Sequence, residues 1–120
     1  MINNEVNFKI QNRNWKLKLV APHDPLLWVN DSAKIGATWP LTRTIGISNE
    51  LDYQRTEDVV AHELVHAVMS ETSIEDPKEY SEELLAVFYE NFHIMLNDLL
   101  NEVMSMLQKI YAVEKDLSNG

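Results

Sequence analysis

The pattern of apolar and polar positions changes period near the middle of the chain. Over residues 6–10, Val6, Phe8 and Ile10 alternate with Asn7 and Lys9, and a period of two predicts a half-buried strand. Residues 15–20 repeat the pattern through Trp15, Leu17 and Leu19. Asn12, Arg13 and Asn14 between the two runs read as a turn, so a hairpin is expected. Residues 35–39 and 44–48 are two further strand candidates separated by Pro40, which suits a turn or an edge strand. Gly36 and Gly46 inside them mark a bulge or a close backbone approach. Trp15, Trp28 and Trp39 are expected in the core.

From Thr56 onward the period becomes helical. Thr56 is a suitable N-cap, with Glu57 and Asp58 in the first turn, where the helix dipole favours acid. Val60, Leu64, Ala67 and Val68 follow at helical spacing, so the pattern predicts a helix over 56–70. Asp76, Pro77 and Glu79 then form a second start signal. Behind it Leu85, Phe88, Phe92, Met95, Leu99, Val103, Met106, Ile110 and Val113 continue at spacings of three and four. A helical part over 77–118 would make a rod of about 60 Å, longer than a small domain is wide. Either it breaks near residues 97–101, or its end packs on a partner. The expected fold class is α+β: antiparallel strands over 1–50, then a helix, then a long helix or helix pair.

Composition narrows the chemistry. At 120 residues and 45% hydrophobic content, the chain fits one globular domain. It has no cysteine, so any metal must be held by His and carboxylate. The net charge of −9 with thinly spread Lys and Arg argues against a nucleic-acid surface. No apolar run approaches 18 residues, so no membrane span is expected. MINNEVNFKI lacks the charged-then-apolar order of a signal peptide, and cytoplasmic residence is expected.

The chemistry sits in His62-Glu63-Leu64-Val65-His66. Histidines four apart on a helix share one face, one turn apart, and can hold the same ion. Zinc suits imidazole and leaves one position for water in a three-ligand site. Glu63 is rotated about 100° from His62. That is too far round for a ligand, but it places the carboxylate to take a proton from water activated by the ion. These are the mechanics of HExxH. The later helix offers Glu79, Glu82, Glu83, Glu90 and His93 as third-ligand candidates. Amphipathicity favours Glu82, at the rim of the stripe through Leu85, Phe88 and Phe92, over Glu83 on its far side. Tyr53, Tyr80, Tyr89 and His93 are available to stabilise an oxyanion. The strand at 44–48 is a place where an extended peptide could add, if its edge is free.

IGATWPLTRTIGIS, VVAHELVHAVMSE and EELLAVFYENF together resemble small zinc metallopeptidases of phages and integrative elements, neighbours of the ImmA/IrrE-type peptidases. The resemblance implies a minimal zincin-like domain that hydrolyses a peptide bond in a protein or peptide substrate. It implies His62 and His66 as zinc ligands and Glu63 as the base. The third ligand it implies is Glu83, followed by Leu84, Leu85 and Phe88, with Glu82 as the fallback. The Ala-Asn pair often following that ligand in ImmA-type enzymes is absent here, as is a helix-turn-helix region. Two other readings compete: a catalytically silent zincin-like binding module, and an adaptor whose C-terminal helix forms a homodimer.

Overall fold

The computed structural model describes residues 4–72 and 82–119, the latter without the side chains of 82–86, 89 and 113–119. Strands β1 (Glu5–Ile10) and β2 (Arg13–Val20) pair antiparallel, with Ile10 opposite Arg13. The turn between them is therefore Gln11-Asn12, one residue earlier than expected, and both residues have positive φ (49° and 65°). Two left-handed residues in a row match the twist of the flanking strands. Asn30 and Asp31 (φ 51° and 61°) do the same between the short strands β3 (Trp28–Val29) and β4 (Ser32–Ala33).

β5 (Gly36–Trp39) and β6 (Thr44–Ser48) complete a four-stranded sheet in the order β1-β2-β6-β5. β5 and β6 are antiparallel, but β2 and β6 are parallel. The sheet is thus mixed, where antiparallel strands alone were expected. The segment between β2 and β5 makes this possible by crossing the sheet's outer face. A 3-10 turn at Pro25–Leu27, capped by Asp24, lies against that face. Gly46 admits it: a Cβ there would stand 3.0 Å from Leu26 Cβ. Trp39 Nε1 donates to Leu26 O at 2.8 Å. Trp15 is buried, whereas Trp39 is half-buried and Trp28 is 52% exposed, which corrects their expected place in the core.

Both helices cover the sheet's inner face. α1 (Tyr53–Glu71) lies over β5 and β6, and α2 (Glu82–Asn119) reaches β1. Val6, Phe8, Trp15, Leu17, Ile45 and Ile47 meet Val60, Leu64 and Val68 of α1 and Leu99, Val103 and Leu107 of α2. The helices run antiparallel: Tyr53 and Thr56 meet Tyr111, while Ala61 and Val65 share a small cavity with Leu96 and Leu100. α2 does not break at residues 97–101. Asn costs a helix interior only about half a kcal/mol, and Leu96, Leu99, Leu100 and Val103 anchor that stretch in the core. The start signal at Asp76, Pro77 and Glu79 lies outside the described residues. Among those described, no helix is long and apolar enough to cross a membrane.

Candidate metal centre

α1 begins a turn earlier than expected. Asp52 is its N-cap and accepts from Arg55 N at 2.7 Å. Thr56, expected in that role, is fully buried and donates to Asp52 O at 2.8 Å. With its one hydrogen so used, it accepts from Tyr111 OH at 3.0 Å. The motif therefore falls in the middle of a 19-residue helix, fixed on both sides, and not near a fraying end.

His62 is exposed and His66 half-buried. Their Nε2 atoms lie 3.2 Å apart. Two nitrogens at zinc–nitrogen distance on a tetrahedral ion are separated by roughly 3.3–3.4 Å. The pair therefore fits two corners of one coordination shell.

Glu63 points elsewhere. It is only 7% exposed, and its Oε1 accepts from Thr38 Oγ1 of β5 at 2.9 Å. The same hydroxyl lies 3.1 Å from Glu63 O. β5 can come this close because Gly36 has no side chain: a Cβ there would stand 2.5 Å from Val59 Cγ1 and 3.4 Å from Glu63 Oε2. Two chambers of about 690 and 320 Å³ open on either side, and Lys34, Gly36, His62 and Glu63 line both. They form one groove between β5 and the exposed face of α1. The larger end carries Arg55, Asp52 and Asp58, and the smaller one Val29, Pro40 and His66.

The structure thus brings His62, Glu63 and His66 to one groove. Among the described residues no third His, Asp or Glu joins the histidine pair. Glu82 and Glu83 open α2, and their side chains are outside the described set. They precede Leu96 by fourteen and thirteen residues, about 20 Å along the helix axis, and Leu96 is the level at which α2 meets Ala61 and Val65. The other candidates lie apart or outside the description. Glu79 and Tyr80 fall outside the described residues, as does the side chain of Tyr89. Glu90 is exposed, its carbonyl 3.2 Å from His93 Nδ1. Tyr53 packs edge-on against Tyr111.

Three findings were not expected. β6 lies between β2 and β5, so the strand at 44–48 is interior to the sheet, and among the described residues β5 is one of its two edge strands. Thr38 touches the motif's glutamate from 25 residues away. Lys34 lines both chambers. For Gly36 a signal existed, a glycine inside a strand pattern. Thr38 had only its place two residues on, the same face of the strand. Comparison with family models, curated proteins and solved structures returned no match.

Proposed function

We propose that this chain is a minimal zincin-like metallopeptidase that uses zinc to hydrolyse a peptide bond in a protein substrate. The 3.2 Å separation of the His62 and His66 Nε2 atoms, beside a buried glutamate, carries this reading. His62 and His66 hold the ion, and Glu83 is the proposed third ligand, with Glu82 as fallback. Coordination by either would require the first turns of α2 to leave the continuous helix and fold back by about 20 Å toward the histidine pair. Bound there, zinc supplies a Lewis acid that lowers the pKa of water toward about 7 and polarises a carbonyl.

The remaining work falls to the chain. Among the described residues no strand pairs with the outer edge of β5, and an extended peptide would add there as a further strand. That seats the scissile carbonyl where the two chambers meet. Glu63 takes the proton of the attacking water. The water oxygen bonds to the carbonyl carbon, the C–N bond breaks, and the proton passes to the departing amine. Lys34 lines both chambers, and we propose it as the cation that offsets charge developing on the carbonyl oxygen.

The test is metal analysis joined to proteolysis. Wild-type protein should carry close to one zinc per chain and cleave an unfolded protein such as casein. Glu63→Gln should keep the zinc and lose the cleavage. A wild-type protein that takes up no zinc overturns the reading. Zinc uptake without cleavage supports the silent binding module instead.

A further inference from the structure

We infer that Thr38 is a positioning residue for Glu63, so that β5 aims the base as well as bordering the groove. This role rests on the zinc reading above. A polar side chain that is 7% exposed needs a hydrogen-bond partner to offset its lost hydration and fix its position. Thr38 supplies it at Oε1, 2.9 Å away. The contact is selective between the two oxygens. Among the described residues Oε2 takes no hydrogen bond, and Glu63 lines both chambers.

Three constraints set this geometry. Thr38 Oγ1 also lies 3.1 Å from Glu63 O, so the hydroxyl spans the main chain and side chain of one residue and restricts the rotation between them. Thr38 is held in turn by its register opposite Ile45 of β6. Gly36, on the same face of β5, leaves room for Oε2 that any Cβ would narrow. With Oε1 engaged, Oε2 is the oxygen left to receive a proton from the groove. Without the hydroxyl, the carboxylate would rotate between competing positions, and the fraction correctly aimed would fall.

The test needs no knowledge of the natural substrate. Acetohydroxamic acid gives up its O–H proton as it binds zinc, and Glu63 Oε2 is the acceptor at hand. Azide binds zinc with no proton to release. In zinc-loaded protein, Thr38→Val should weaken acetohydroxamate about tenfold or more, by the usual strength of a hydrogen bond to a charged group. It should leave zinc content and azide affinity unchanged. Thr38→Ser should restore acetohydroxamate affinity to within about threefold of wild type, since it keeps the hydroxyl.

Glu63→Gln separates the two levels of the argument. If it leaves acetohydroxamate affinity unchanged, or if wild type binds no zinc, the peptidase reading fails and takes this role with it. If Glu63→Gln weakens the probe while Thr38→Val does not, only the role of Thr38 is overturned. Equal weakening of azide and acetohydroxamate in Thr38→Val also overturns it, since that marks general damage to the site. Should Thr38→Val fail to fold, Thr38→Ala and Thr38→Ser carry the comparison, and equal affinities in the two reject the role.

Discussion

The Trp15 indole donates from Nε1 to Glu71 Oε1 across 2.9 Å, joining the first hairpin to the last turn of the helix that carries the histidines. Arg43 binds the same oxygen and Arg13 the other, at 3.3 Å. The Glu71 side chain is 8% exposed, so one carboxylate closes the β1–β2 turn, the β5–β6 turn and the end of α1 together. Glu71→Ala would strand a buried indole N–H and release the part-exposed guanidinium groups of Arg13 and Arg43 to water. It should lower stability to urea by about 2–3 kcal/mol. Glu71→Gln keeps an acceptor for Trp15 and should cost about half as much. Equal losses in the two variants would show that the charge, and not the hydrogen bond to Trp15 or the packing, holds this corner.

Zinc should stabilise the folded chain through the histidine pair. A ligand at a hundred times its Kd adds about 2.7 kcal/mol. Excess zinc should therefore raise the melting temperature of wild type by several degrees, while His62→Ala and His66→Ala should not respond. Glu83→Ala is expected to lose most of the shift and Glu82→Ala to keep it. The reverse pattern assigns the ligand to Glu82.

Gly36 and Val59 should show coupled energetics. In Gly36→Ala the new Cβ meets Val59 Cγ1 at 2.5 Å, and overpacking of this kind costs about 1–3 kcal/mol. Removing the obstructing methyls with Val59→Ala should recover part of that loss. The double variant is then more stable than the sum of the single changes predicts. Strict additivity would mean that β5 has moved off α1 instead.

The end of α2 should not be separable from the domain. Val103, Met104 and Leu107 are 0–4% exposed and lie beyond the point where the sequence pattern suggested a break. Burying each is worth about 1.5–3 kcal/mol, and together they approach the whole stability of a small domain. A chain ending at Asn101 should therefore lose its cooperative thermal transition by circular dichroism. A folded, zinc-binding truncation would favour the reading of that segment as an assembly helix.

Much of this was legible where the determining contacts are local. Val6, Phe8 and Ile10 announce β1 by their own spacing, and His62 and His66 lie one turn apart whatever surrounds them. What escaped depends on distant partners. Period two marks a strand but not its neighbour, so the parallel pairing of β2 with β6 was hidden. Thr56 looked like a cap because its burial depends on Tyr111, 55 residues on. Asp52 was passed over because Tyr53, Gln54 and Arg55 show no apolar rhythm. Thr38 reaches Glu63 only once β5 lies along α1.

β5 has two sides, and each has a different tenant. One side touches Glu63 through Thr38 and the space at Gly36, and the other is the sheet edge on which the proposed peptide would pair. A load placed on the outer side would bear on the same short strand that steadies the proposed base. Peptides long enough to pair along β5 would then gain in turnover as well as in attachment. Clipped ones would lose rate out of proportion to affinity, because grip and aim are carried by a single four-residue beam.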